Sequence, residues 1–115
     1  MNILESETRG NVTVAAVRCD RLDAGRADRF KEEMAGIIPG GGARLVLDLA
    51  DVAFIDSTGI GAIASVLKRN GPKGRMMLCG VGPTVRKVFE ITRFFKIVPA
   101  ADTRDEAVAA LEEAR

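Results

Sequence analysis

Histidine is absent from this 115-residue chain. With it go the commonest general base, the usual serine and cysteine triads and the favoured protein ligand of catalytic zinc. An enzyme built on this sequence would have to run on carboxylates, lysine or serine alone. Tryptophan and tyrosine are missing too, and the five phenylalanines gather mostly in the C-terminal half, so few side chains are available to stack on bases or sugars. The two cysteines, Cys19 and Cys79, lie far apart. They form neither a C-x-x-C pair nor a Cys/His cluster and read as buried free thiols rather than zinc ligands. The longest apolar stretches, at 45–49 and 60–67, fall well short of the roughly 18–20 residues that a membrane span requires. The opening residues, Met1-Asn-Ile-Leu-Glu-Ser-Glu, lack the basic segment and apolar run of a signal peptide, which makes the cytoplasm the expected location. Nothing in this composition asks for a metal or a cofactor.

What is present is a balanced and fairly apolar chain. Seventeen basic residues face sixteen acidic ones, leaving +1. The basic residues are scattered rather than gathered into a block, so nucleic-acid binding gains no electrostatic support. At 47% hydrophobic, the chain is long enough for one domain with a core and too short for two, so 1–115 reads as one domain. The composition suits a protein that recognises rather than one that reacts, and no enzymatic activity is expected.

Local pattern predicts the elements. Val12-Thr-Val-Ala-Ala-Val17 is rich in β-branched residues and follows Arg9-Gly10-Asn11. It reads as the second arm of a hairpin whose first arm is 3–8. Asp23 is placed to cap a helix with Ala27, Phe30, Met34 and Ile37 on one stripe, ended by Pro39-Gly-Gly-Gly42. Arg44-Leu-Val-Leu-Asp-Leu49 reads as a central strand covered on both faces. Ile60, Ile63, Ala64 and Leu67 mark the inner face of a second helix, which stops near Asn70-Gly71-Pro72. A strand follows at 75–79, then a helix with Pro83 in its first turn and Val85, Val88 and Phe89 inward. Residues 95–98 are expected to form a last short strand. Thr103-Arg-Asp-Glu106 reads as a capping box before a helix with Ala107, Ala110 and Leu111 on one stripe. Strands alternating with helices imply an α/β fold: a four- to five-stranded mixed sheet with about four helices packed mainly on one face.

The informative stretch is Val52-Ala-Phe-Ile-Asp-Ser-Thr-Gly-Ile-Gly-Ala-Ile63, which sets Asp56, Ser57 and Thr58 between a strand and the start of a helix. The first N–H groups of a helix are unpaired and its amino end is positive, so a phosphoryl group on Ser57 would be stabilised there. The plainer reading is that Asp56 or Ser57 caps the helix and the glycines permit a tight turn; both stay open at this point. Residues 59–64 also match G-x-G-x-x-[GA], the dinucleotide fingerprint. However, no acidic residue stands about twenty positions later to hold a ribose, and the phosphate-loop pattern ending in Gly-Lys-[Ser/Thr] is absent.

Leu45-Val-Leu-Asp-Leu, a spacer and then Phe54-Ile-Asp-Ser-Thr-Gly-Ile-Gly resemble the signature of the STAS family, the anti-sigma factor antagonists of bacteria. The resemblance runs nearly the whole chain. Leu22-Asp-Ala, Met76-Met-Leu-Cys-Gly80, Val88-Phe-Glu-Ile-Thr92 and Phe95-Lys-Ile fall where that family has similar residues. It implies an antagonist that, when unphosphorylated, binds a partner serine kinase which is also an anti-sigma factor, so freeing the sigma factor. Phosphorylation by that kinase would stop the binding, and a serine phosphatase of the metal-dependent class would reset the switch. The family's phosphoacceptor falls on Ser57, and the partner-binding surface on Asp23, Asp56, Ser57, Thr58, Gly59 and Ile60. Ile60 stands where leucine is common, and Thr58 where some members have a second serine.

Family members also serve as domains of anion transporters, stress-signalling assemblies and envelope lipid-transport complexes. The alternative is therefore a constitutive subunit in which Ser57 is only a cap, with nucleotide binding through Gly59 and Gly61 a third reading. Asp23 is either a helix cap or part of the partner surface. Phe94 and Phe95 are expected in the core rather than at a docking spot, and Glu112, Glu113 and Arg115 on the solvated face of the last helix.

Overall fold

The computed structural model describes residues 2–113. Strands β1 (Leu4–Arg9) and β2 (Val12–Val17) form an antiparallel hairpin, turned by Gly10 at φ 59°, a left-handed conformation that costs glycine little. The chain then alternates: β3 (Arg21–Leu22), α1 (Ala24–Ile37), β4 (Arg44–Asp48), β5 (Phe54–Ile55), α2 (Ser57–Asn70), β6 (Arg75–Cys79), α3 (Pro83–Ile91), a 3-10 turn (Phe94–Lys96), β7 (Ala100–Ala101) and α4 (Arg104–Glu113). β2, β4, β6 and β7 run parallel, giving a five-stranded mixed sheet in the order β1-β2-β4-β6-β7, while β3 and β5 pair as a small separate parallel ribbon.

Strand alternation divides the core into two layers. Ala15, Val17, Leu45, Leu47 and Leu78 face α1, α2 and α3, meeting Phe30, Met34, Ile63, Val66, Val85 and Phe89. Val12, Val14, Val46 and Cys79 face the other way and are covered by Ala107, Val108 and Leu111 of α4. The expected α/β sheet with helices mainly on one face is what forms, three on one side and α4 on the other.

Several details depart from the sequence pattern. Residues 95–98 are not a strand: Phe94–Lys96 coil into the 3-10 turn, and the last strand is Ala100–Ala101. Aromatic packing explains the change, because Phe94 and Phe95 both close on Phe89, with centroid separations of 5.1 and 5.4 Å, which an extended chain could not present together. Phe94 is buried and Phe95 half-buried, in line with the core expectation. The inner face of α2 is Gly59, Ala62, Ile63 and Val66. Ile60, Ala64 and Leu67 are only partly covered, since Gly59 lets the helix roll its glycine side against the chain. On α4, Val108 takes the inward place expected of Ala110, which is exposed, and on α1 Ile38 just past the helix is buried while Ile37 is half-exposed. Glu112 is exposed as expected; Arg115 and the side chain of Glu113 lie outside the described residues.

Side chains the pattern did not flag fasten the frame. Asn70 is buried at the end of α2, accepting from the Ala43 N–H at 2.8 Å and donating to the carbonyls of Ala43 and Arg75. Glu33 of α1 accepts from the Ile3 and Leu4 N–H groups at 2.9–3.1 Å and from Arg29, pinning the first strand. Partial burial pushes its carboxyl up, but those N–H groups and Arg29 outweigh it and hold the carboxyl below the usual 4.5. Arg104 of α4 grips the buried Asp48 through two nitrogens at 2.8 Å and reaches Glu7 at 3.0 Å.

Candidate functional site

The β3–β5 ribbon builds the site. Leu22 and Ile55 are register partners, so the next residue on each strand, Asp23 and Asp56, arrives at the same level, and each is the N-cap of a helix in extended conformation. Two helix amino ends are thereby set side by side. Asp56 joins them: its Oδ1 accepts from the Gly59 N–H at 2.8 Å, the ordinary cap of α2, and its Oδ2 accepts from the Ala24 N–H of α1 at 3.3 Å. Gly59 is required here, because a Cβ would run into the Leu22 carbonyl and the Ile55 side chain.

Ser57 is therefore not the cap. It is the first helical residue of α2, with Thr58 the second, and both are exposed. The N–H groups of Ser57 and Thr58 have no intrahelical acceptor, as the geometry of a helix start dictates. Asp23 stands at the cap of α1 but its side chain makes no capping bond. Its oxygens instead lie 3.5 Å from Arg21 and Arg26, and Oδ1 is buried without a hydrogen bond. Arg21 also stacks over Phe54, 4.2 Å from the ring centroid. Ile60 is half-buried and Gly59 buried, so of the six residues expected at this surface Ser57 and Thr58 present the open face, with Asp23, Asp56 and Ile60 at its margin. Sequence reasoning missed Arg21, Phe54 and Arg26, whose placement depends on the pairing of two strands only two residues long.

A shallow cavity of about 320 Å³ lies beside this surface, lined by residues 50–53 and 82–85. Ser57 does not line it. Among the described residues no group of three or more Cys, Asp or Glu side chains could hold a metal, and no helix is long and apolar enough to cross a membrane. What the arrangement can do chemically is present a hydroxyl, with free N–H groups behind it, on a rigid platform.

Fold and site together define a small α/β domain: a mixed sheet, two helix amino ends side by side and an exposed hydroxyl in the first turn of one of them. The chain belongs to the STAS domain family, whose model matches residues 4–107. It is 35% identical over 94 residues to BtrV of Bordetella bronchiseptica, a proposed anti-sigma factor antagonist, the match covering 81% of each protein. To the anti-sigma F factor antagonist of Paenibacillus polymyxa it is 36% identical over 69 residues, 59% of each. Its fold superposes on an anti-sigma factor antagonist domain protein of Planctomyces limnophilus with a TM-score of 0.87 at 23% identity, across 96% of this chain and 98% of the other.

Proposed function

We propose that this protein is a cytoplasmic anti-sigma factor antagonist, a binding module rather than an enzyme, switched by phosphorylation of Ser57. Unmodified, it binds a serine kinase that is also an anti-sigma factor and so frees the sigma factor. The kinase moves the γ-phosphoryl of ATP onto Ser57 Oγ, releasing ADP and the hydroxyl proton, and the complex falls apart. A metal-dependent serine phosphatase hydrolyses the phosphoester and restores the binding form.

The observation that carries this reading is the division of labour at the start of α2. Asp56 makes the cap, which leaves the exposed Ser57 hydroxyl without a structural duty. A phosphoryl group adds about −1.5 to −2 charges at neutral pH. The amino end of α2 and its free N–H groups offset them, so the domain itself has no cause to rearrange. The penalty falls on the interface, where a dianion facing a partner that had met a hydroxyl is left desolvated or clashing. About 4 kcal/mol there is a thousandfold in affinity. The test is mass spectrometry of the protein isolated from its host, with and without its kinase gene. A kinase-dependent phosphopeptide carrying the group on Ser57 is expected. Modification of Thr58 alone, or none in either strain, would refute the switch and leave a constitutive assembly subunit.

A further inference from the structure

The net charge of +1 conceals a segregation. Residues 57–101 hold eight basic side chains and one carboxylate, Glu90, a balance of +7, while nine basic and fifteen acidic residues elsewhere leave −6. The described ion pairs follow the same division: they use Arg9, Arg18, Arg21, Arg26, Arg29, Lys31 and Arg104. From Arg44 to Lys96 no basic side chain has a carboxylate within ion-pair distance, among the described residues.

The fold concentrates these cations. Arg44 and Arg75 are the first residues of β4 and β6 and direct register partners, so two like charges sit opposite each other, an arrangement that costs stability. Arg44 is offset by donating to the Leu111 and Glu112 carbonyls at the end of α4; Arg75 is exposed and has no such acceptor among the described residues. Both border a depression of about 440 Å³ with Gly42, Pro72, Lys73 and Gly74. Lys68 and Arg69, in the last turn of α2, are accounted for by the helix dipole; the strand-leading arginines and Lys73 are not.

We infer that this edge, at the far end of α2 from Ser57, is a second docking surface that takes an acidic protein segment, its carboxylates set in the Arg44–Lys73–Arg75 depression. The concavity favours a polypeptide over the flat face of a bilayer, and the uncompensated like charges are relieved by a partner's carboxylates. The site does not depend on Ser57 and is open whether or not that residue is modified.

The probe is poly-L-glutamate, titrated into the labelled protein and followed by amide NMR at about 150 mM salt, where the Debye length is about 8 Å and diffuse attraction is largely screened. Saturable shifts confined to 42–44 and 68–75 are expected. Lys73→Glu with Arg75→Glu should weaken binding at least about tenfold, and so should the milder Lys73→Gln with Arg75→Gln, while Arg18→Gln, beside Glu5 and Asp51 past the carboxyl end of β2, should not. Both double variants should unfold at equal or higher urea than the parent, because they remove a like-charge pair. Shifts spread over every cationic residue, or affinity unchanged in the double variants, would overturn the proposal. So would flotation with vesicles of equal parts phosphatidylglycerol and phosphatidylcholine through the same residues without binding of the polypeptide.

Discussion

Replacing Asp56 and Ser57 in turn by alanine separates the two neighbours by role. Asp56 caps α2 through a 2.8 Å bond to Gly59 and holds the start of α1 through a 3.3 Å bond to Ala24. Losing a cap costs about 1 kcal/mol. A second, longer and more exposed charge-assisted bond, with the loss of a negative charge at two helix amino ends, adds about as much again. Asp56→Ala should therefore destabilise the domain by about 2 kcal/mol, roughly 8 °C in Tm for a chain of this size. Ser57→Ala removes an exposed hydroxyl with no capping bond, so the cost of about 1 kcal/mol that capping by Ser57 would carry shrinks to within about 0.5 kcal/mol of zero. Asp56→Asn, which keeps an acceptor at the cap, should fall between them. Urea unfolding followed by circular dichroism at neutral pH measures all three, with unchanged slopes showing that only the folded state is affected. If Ser57→Ala costs as much as Asp56→Ala, Ser57 is the cap in solution and the division of labour at this site is wrong.

Glu33 predicts a pH dependence: its carboxyl is held below 4.5 in the folded state, so its stabilisation is present above that value and is lost as pH falls through the folded pKa. Urea midpoints between neutral pH and pH 3 should fall less steeply for Glu33→Gln than for the parent. Asn70→Ala leaves the Ala43 N–H and two carbonyls without their partner and should cost about 3 kcal/mol, with faster hydrogen exchange at Ala43 as the local sign. The cysteines should part company with a thiol reagent. Burial, then the neighbouring Asp48 carboxylate, push Cys79 up to about 12, so it should react only on unfolding, while half-exposed Cys19 reacts in the native protein at a rate slowed by its own raised pKa, which burial causes first.

The hairpin, the strands at 44–48 and 75–79, the four helices and the position of Ser57 were legible because they rest on short-range signals: β-branched runs, glycine turns, and an Asp-Ser-Thr-Gly step between a strand and a helix. The capping box at Thr103 was equally local, and Thr103 Oγ1 does accept from the Glu106 N–H. What escaped depends on distant partners. The aromatic contacts that coil 94–96 need Phe89 in place, and nothing in Asp56 itself says that its second oxygen reaches Ala24, thirty-two residues earlier. Helix faces shifted by a residue for the same reason, since whether Ile60 or Gly59 turns inward is decided by the Leu22 carbonyl across the gap. The reading of scattered basic charge counted cations alone. The missing acids between 57 and 101 were visible in the sequence, but the meeting of Arg44 with Arg75 needed the register.

With α4 covering the second face of the sheet, only its borders stay open, and those are poor templates for another chain. The outer strand β1 reads Leu-Glu-Ser-Glu-Thr-Arg, with a charged side chain at every second position, and the opposite border β7 is two residues long. Charge and shortness both discourage strand-to-strand addition. A domain bordered in this way can thus stay free at high concentration without stacking into sheets of its own kind.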